Sequence, residues 1–379
     1  VAAEQSNSSI LYGQQLILKL FRKVDRGRNP DFEVSVKLTD RGFAHGAAVA
    51  GVLEYQAADP EPWTLGLLQR FVPNQGDAWH YTLRQLGEIL EHATGAGAQA
   101  SNQWPAHGSL LSAARQPLPP GPLAAFGPAL HDAELLGRRT AQMHHALAAV
   151  SDDPSFAPEP FTGADGEGFR ARALELLDRC FAALHRTLPA LDHAARATAE
   201  RVLHRRAVAA ARFDRMGEEL GVAKIRCHGD YHLGQVLVSD GDFVIIDFEG
   251  EPARPLEERR KKQLALRDVA GMVRSYHYAA CTAATAARAA APRRAAGSDA
   301  RARSWLFWCS TAFLAGYRHA AGAAPFLPAA DAHFERLFEA CLLDKAIYEL
   351  LYELNNRPDW VYLPLDALDE MLAPNPTAP

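Results

Sequence analysis

Residues Cys227-His228-Gly229-Asp230-Tyr231-His232-Leu233-Gly234-Gln235, followed by Phe243-Val244-Ile245-Ile246-Asp247-Phe248-Glu249, decide how this chain is read. The first stretch is a polar, glycine-punctuated loop. The second is a short apolar β-branched run that ends in an acid, and Asp240-Gly241-Asp242 before it signals a turn. Together they offer two carboxylates, Asp230 and Asp247, and one amide, Gln235, from backbone that a strand can hold rigid. Phosphoryl transfer from ATP requires such a set. One carboxylate orients the attacking hydroxyl, while an amide oxygen and a second carboxylate hold Mg2+ against the phosphates.

The spacing from Asp230 to Gln235 equals the Asp-to-Asn spacing of kinase catalytic loops, and Asp247-Phe248-Glu249 stands where kinases place Asp-Phe-Gly. The stretch from His228 to Leu237, with Ile246-Asp247-Phe248-Glu249-Gly250-Glu251-Pro252, resembles the maltokinases. These are bacterial enzymes with an aminoglycoside-phosphotransferase-like kinase fold that make maltose 1-phosphate from maltose and ATP. The resemblance runs from about residue 4 to about residue 368. It also rests on Glu4-Gln5-Ser6-Asn7-Ser8-Ser9, on Arg267-Asp268-Val269-Ala270-Gly271-Met272 and on Lys345 to Pro358.

The resemblance implies an α+β, bilobal protein-kinase-like fold. A small β-rich N-lobe would occupy residues 1–73 and a large, mainly helical C-lobe residues 74–379. It implies ATP and Mg2+ as cofactors, with Asp230 orienting the anomeric hydroxyl of maltose, Gln235 and Asp247 on the metal and His232 on the sugar. Gln235 departs from the Asn of most kinases. A full maltokinase has further strands and a cap before Glu4, so the chain is expected to open inside the N-lobe. The family also occurs fused behind a trehalose synthase, which makes that enzyme the expected partner.

Composition agrees with an enzyme of this kind. At 379 residues the chain exceeds one ordinary domain, and 48% hydrophobic with 22% charged residues is the balance of a globular protein. A net charge of −5 argues against a general nucleic-acid or membrane-surface binder. Cys180, Cys227, Cys281, Cys309 and Cys341 lack paired metal spacing and are odd in number, so reduced thiols and a cytoplasmic location are expected. No apolar run approaches membrane length. Glu4 to Ser9 has no leader character, and the missing initiator Met predicts a fragment or a processed piece.

Along the chain, Ser9 to Tyr12, a turn at Gly13-Gln14 and Leu16 to Phe21 read as a hairpin. Lys19 alternates with Leu18 and Leu20, so it points to the opposite face. Position alone fits a solvent-facing lysine as well as a phosphate ligand; the resemblance favours the phosphates. It also makes Ser6, Asn7 and Ser8 the polar stand-in for a glycine-rich loop. Asn29-Pro30-Asp31 starts a helix that stops near Gly42. Glu33 on it could pair with Lys19, although a first-turn acid is equally explained by the helix dipole. Val49 to Tyr55 and Leu65 to Val72 read as strands. The second ends at Gln69-Arg70-Phe71-Val72, where the resemblance puts the hinge that meets adenine.

Further on, a helix is expected from Ala78, a stiff extended linker over Gln116–Pro122 and a helix over Leu130–Val150. Long helices broken near Leu188-Pro189 follow, then an activation-segment-like stretch over Glu251–Lys262. Its run Arg259-Arg260-Lys261-Lys262 reads as a solvated turn, and Asp268 as a helix cap rather than a catalytic acid. In the late helix Leu342–Leu354, Lys345, Tyr348, Glu349 and Tyr352 share one face at i, i+3, i+4 and i+7. Spacing alone fits a solvated face with one Lys–Glu pair; the resemblance places the disaccharide there. Two other readings stay open: a kinase for another alcohol, of aminoglycoside or choline type, and a non-catalytic kinase-like domain serving a fused trehalose synthase.

Overall fold

The computed structural model describes residues 7–58, 61–91, 109–218, 220–252, 254–290 and 295–373. Ser6 and the tail from Pro374 lie outside them. A small sheet lobe sits on a large helical lobe. Strands β1 (Asn7–Tyr12), β2 (Leu16–Phe21), β3 (Val49–Tyr55) and β4 (Trp63–Arg70) form one antiparallel sheet in the order β1-β2-β4-β3. The β1–β2 hairpin closes where expected, with Gly13 at φ 61° and the Gln15 N–H donating to Tyr12 O at 3.3 Å. Lys19 is in register with Ser9 on β1 and with Leu67 on β4.

Helix α1 (Pro30–Asp40) crosses behind the sheet. Its start is capped as the sequence predicts: the Asn29 side chain accepts the Asp31 N–H at 2.9 Å, and Pro30 sits in the first turn, where a missing N–H costs nothing. Beyond the hinge come α2 (Ala78–Glu91), α3 (Leu110–Ala114), α4 (Pro120–Ala148), α5 (Gly163–Thr187), α6 (His193–His204) and α7 (Arg206–Ala211). Helix α4 starts ten residues before the expected Leu130. Pro120 and Pro122, read as extended linker, fit an N-terminal helical turn, whose first N–H groups have no intrahelical partner.

Short strands β5 (Glu159–Pro160) and β6 (Ala223–Lys224) pair, and the motif stretch folds as the hairpin β7 (Val236–Ser239) and β8 (Asp242–Ile245). Its two-residue turn, Asp240 at φ 49° and Gly241 at φ 76°, suits the twist of a tight hairpin. Backbone bonds fasten the hairpin on both sides. Gln75 N–H donates to Val238 O at 2.8 Å, Val238 N–H to Gly76 O at 2.9 Å, and Ile245 N–H to His45 O at 2.8 Å. The hairpin is thereby a fixed platform between the lobes.

Helices α8 (Leu256–Arg259), α9 (Leu266–Ala290), α10 (Ala295–Ala321), α11 (Asp331–Asn356) and α12 (Tyr362–Met371) complete the helical lobe. Helices α4 and α10 meet backbone to backbone. A Cβ on Gly137 would stand 2.1 Å from Phe313 O, and one on Gly316 2.1 Å from Glu134 O. The core runs continuously through Leu86, Leu136, Met143, Phe313 and Leu350. All five cysteines are free, and among the described residues no helix is long and apolar enough to cross a membrane.

The basic run is not a solvated turn. Arg259 reaches Asp25 at 2.8 Å, Arg260 pairs with Glu33 at 2.6 Å and Lys262 pairs with Glu159. Acids of the sheet lobe and of the β5 edge draw these cations in, and only Lys261 stays exposed.

Candidate active site

The loop from His228 to Gln235 is held from below by Asp268, which is buried. Its carboxylate accepts the backbone N–H of His228 at 2.8 Å and of Gly229 at 3.0 Å, and bonds His144 Nε2 at 3.0 Å. Burial would raise this carboxyl, but the hydrogen bond and charge of His144, then His228 and the Gly229 N–H, hold it below the usual range. Asp268, read from sequence as a helix cap, lies within the first turn of α9, and its carboxylate clamps the loop that carries Asp230. His144, itself buried, supplies the clamp's other jaw. Helix α9 can lie against the loop because residue 271 is glycine; a Cβ there would stand 2.6 Å from Tyr231 O.

Within the loop each histidine has a fixed tautomer. His228 Nε2 donates to Ile246 O at 3.0 Å, which leaves Nδ1 to accept the Asp230 N–H at 3.4 Å. His232 Nδ1 accepts the Gly234 N–H at 3.1 Å, so the proton sits on Nε2. Burial lowers the His232 pKa and keeps the ring neutral, with Lys345 and His228 acting in the same sense and Asp230 and Asp247 opposing. His232 thus feels Asp230, Lys345 and Asp247 together.

Across the cleft, Lys19 is the centre of an acidic cluster. Its ammonium bonds Asp31 at 2.8 Å, Glu249 at 2.6 Å and Asp247 at closer range. Burial opposes its charge, but the three carboxylates outweigh burial and raise its pKa. Asp247 lies at φ 68°, a backbone region L-residues seldom adopt, and the following Phe248 N–H is fixed by Asp31 Oδ1 at 2.8 Å. Against burial, Lys19 and a hydrogen bond from Gln235 hold the Asp247 carboxyl down. Burial and the neighbouring Asp247 raise Glu249 despite Lys19. The carboxylates of Asp31, Asp247 and Glu249 have oxygens within 4.8 Å of one another. Three acids share one ammonium there, and the amide of Gln235 stands beside them. Hard oxygen donors with uncompensated negative charge are what Mg2+ binds.

The expected partner of Lys19 was Glu33; the structure puts Asp31 in that place. Two positions along α1 turn a side chain through about 200°, so Glu33 faces away and is taken by Arg260 at 2.6 and 3.0 Å and by Arg226 at 3.3 Å. Ser8 is also turned away and accepts Arg22 Nε at 3.2 Å, whereas Asn7 and Ser9 line the cleft. The alternation of strand β1 decides this. Asn7 donates to Glu249 and so ties the edge strand to the acidic turn. At the hinge, Gln69, Phe71 and Val72 line a cleft of about 790 Å3 that also holds Lys19, Gln235 and Asp247. The Gln69 side chain is occupied by Ala47 O at 3.2 Å, and the Phe71 N–H by Gln15 O at 2.8 Å.

The late helix α11 brings Lys345 to Asp230. Its ammonium bonds Glu251 at 2.9 Å and Asp230 at 3.4 Å, and lies 5.0 Å from the centre of the Tyr348 ring. Burial opposes the charge, and Glu251, then Asp230, raise the lysine pKa. Burial alone would raise Glu251, but Lys345, Arg254 and Arg267 hold it down to about 2. Glu349 is committed to Arg274 at 2.8 Å. Tyr352, one turn on, is exposed beneath Arg357, whose guanidinium stands 5.3 Å above its ring and also lines the cleft. Sequence reading missed Asp31, Glu249 and Glu251. The signal was present in the acid spacing after Asp247, but which acid faces which lysine depends on lobe packing.

Comparison with known proteins agrees with this geometry. The chain is 26% identical over 376 residues to the glucosamine kinase of Streptacidiphilus jiangxiensis, covering 98% of this chain and 73% of that protein. It is 26% identical over 375 residues to the glucosamine kinase of Mycolicibacterium smegmatis, covering 98% and 79%. A solved glucosamine kinase in complex with glucosamine, ADP and inorganic phosphate superposes with a TM-score of 0.71 at 23% identity, over 97% of this chain and 80% of that one. A second glucosamine kinase structure gives 0.71 at 24% identity, over 96% and 75%. These relatives are glucosamine kinases, where the sequence resemblance names maltokinases; both are sugar phosphotransferases. The fold is protein-kinase-like, with a small antiparallel β N-lobe and a large helical C-lobe. Residues 5–251, well over half of the sequence, match the model of the phosphotransferase enzyme family, APH, and the chain belongs to that family.

Proposed function

We propose that the chain transfers the γ-phosphoryl group of ATP to a hydroxyl of a small sugar, with glucosamine the first acceptor to test. One observation carries this reading: His232 lines the cleft that holds Lys19, Asp31, Gln235 and Asp247, and it also lies within the charges of the Lys345–Asp230 pair. The sheet lobe, residues 7–73, faces the nucleotide side of that cleft, and Gln235 and Asp247 meet it from the helical lobe. Both glucosamine-kinase relatives point to a hexosamine acceptor, and the solved complex with ADP points to ATP as donor.

In this reading Asp230 orients the acceptor hydroxyl and takes its proton as the O–P bond forms. Lys345 holds the carboxylate in place without burying it. Neutral His232 donates Nε2–H to a sugar or phosphate oxygen. Lys19 steadies the nucleotide phosphates, fixed by Asp31 rather than by Glu33. Gln235 and Asp247, with Glu249 as a further oxygen donor, would hold Mg2+, which supplies neutralisation of phosphate charge. Positioning and charge compensation account for most of catalysis in such transfers.

A second reading keeps the same machinery and takes maltose at its anomeric hydroxyl. The extended aromatic face of α11, Tyr348 followed one turn on by Tyr352, favours it, since two rings can receive two pyranoses. Incubating the chain with Mg·ATP and glucosamine, glucose, maltose, choline or an aminoglycoside, with products read by 31P NMR, separates these acceptors. A sugar phosphate is expected. Turnover of choline or an aminoglycoside alone would remove the sugar assignment. Failure of Mg·ATP to raise the melting temperature would favour a non-catalytic domain.

A further inference from the structure

A second polar cavity, of about 400 Å3, opens on the far side of Glu251 and shares no lining residue with the phosphotransfer cleft. Six cations line it: Arg172, Lys224, Arg254, Lys261, Lys262 and Arg267. Three acids answer them. Glu159 takes Lys262 and stands 3.7 Å from Lys224; Asp165 takes Lys224 at 2.6 Å while capping α5 through Thr162; Glu258 lies 3.9 Å from Arg254. Arg267 is shared with Asp344 at 3.3 Å, and Arg254 with Glu251. Arg172 and Lys261 have no ion-pair partner among the described residues, and both keep exposed surface at the mouth. Partial burial, then the like charges of Arg267 and Arg254, lower the Arg172 pKa; Asp344 and Glu258 oppose them. Two cations, Arg172 and Lys261, are thus left unpaired around a hollow whose apolar side is Phe161, Phe169 and Leu264.

We propose that this cavity binds a small phosphomonoester, and that the bound anion loosens Lys345 from Asp230. A phosphomonoester carries close to two negative charges and three acceptor oxygens, which match the free cations and the forked guanidinium donors. The phenylalanine faces and the volume accommodate a carbon skeleton of sugar size. The link to the catalytic loop is a chain of ion pairs. Arg254 holds Glu251, Glu251 holds Lys345 at 2.9 Å, and Lys345 holds Asp230 at 3.4 Å. An anion that draws Arg254 toward the cavity removes the guanidinium bonded to Glu251 and leaves that carboxylate to Lys345 and Arg267. Lys345 then withdraws from Asp230 and leaves the carboxylate open to the acceptor hydroxyl.

The test titrates glucose 6-phosphate into the full chain by calorimetry, and the cavity variants show whether the heat comes from this site. Arg172→Ala/Lys261→Ala and the charge-reversed Arg172→Glu/Lys261→Glu are compared with the unaltered chain; neither residue supports the fold through an ion pair. Affinity is expected to fall about tenfold or more in both variants. The unaltered enzyme should gain about fivefold in kcat with the anion, and the variants should gain nothing. Binding that survives both double variants, or a kcat that does not respond to the anion, overturns the proposal. The kinetic arm rests on the phosphotransfer reading; the calorimetric arm does not, so failure of the one is told apart from failure of the other.

Discussion

Two partly buried lysines organise this molecule, and they sit in opposite electrical surroundings. Lys19 lies among Asp31, Asp247 and Glu249, three acids to one cation. Lys345 lies between Asp230 and Glu251, and Arg254 and Arg267 crowd the same glutamate. The first centre is short of positive charge and suits a divalent cation with its phosphates. The second is compensated and suits a neutral hydroxyl approaching Asp230. A phosphotransferase needs this asymmetry, because charge must be supplied at the donor end and kept off the acceptor end.

The comparison predicts its largest effect at the junction of the two centres. Asp230→Asn keeps the shape of the loop and removes the proposed proton acceptor. A loss of about 10³-fold in kcat is expected, with Mg·ATP binding nearly intact by thermal shift. Retained turnover would mean that neither lysine centre positions the base and would undo the comparison.

Next in size is Glu251→Gln, which removes the counter-charge of Lys345. The wild-type carboxyl falls from 4.5 to about 2, and the side chain is 4% exposed. That depression corresponds to about 3 kcal/mol of folding stability. Because the folded pKa is the lower one, the contribution is fully present above pH 4.5 and disappears as pH falls through about 2. Urea unfolding should therefore show the variant about 3 kcal/mol weaker at pH 7 and converging on the wild type in acid. A difference independent of pH would assign the loss to packing.

How much of this was legible in the sequence follows physical range. The β7–β8 hairpin, the α1 cap and the strand bearing Lys19 are set by residues within a few positions of one another, and periodicity and turn chemistry reveal them. Asp230, Gln235 and Asp247 were legible because their spacing is local. The partner of Lys19 was not, since α1 carries two acids two positions apart and only lobe packing selects Asp31 over Glu33. Nor was the clamp on the loop, because Asp268 meets His228 and His144 across long stretches of chain. The basic run misled for the same reason: its acids come from the sheet lobe and the β5 edge.

That selection is itself testable. Asp31→Asn removes one of three carboxylates from Lys19 and weakens the bond that fixes Phe248 N–H; KM for ATP should rise about tenfold. Glu33→Gln breaks only the pairs with Arg260 and Arg226, so its effect on KM for ATP should stay below about twofold. Equal effects would erase the distinction between the two acids.

The smallest effect belongs to the outer end of α11. Tyr348 lies beneath Lys345, within the compensated centre, whereas Tyr352 is 42% exposed beneath Arg357. An exposed cation–π contact contributes about 0.5–1 kcal/mol. Tyr352→Ala should thus raise the sugar KM only about threefold and leave kcat unchanged, because its ring lies a helical turn beyond the group that holds Asp230. The acceptor sharpens the reading. With a monosaccharide the change should nearly vanish, since one ring is already served beside Tyr348; with maltose it should reach its full size. Measuring KM for both sugars in this single variant therefore reports how far the acceptor extends along the helix, independently of the chemistry at Asp230.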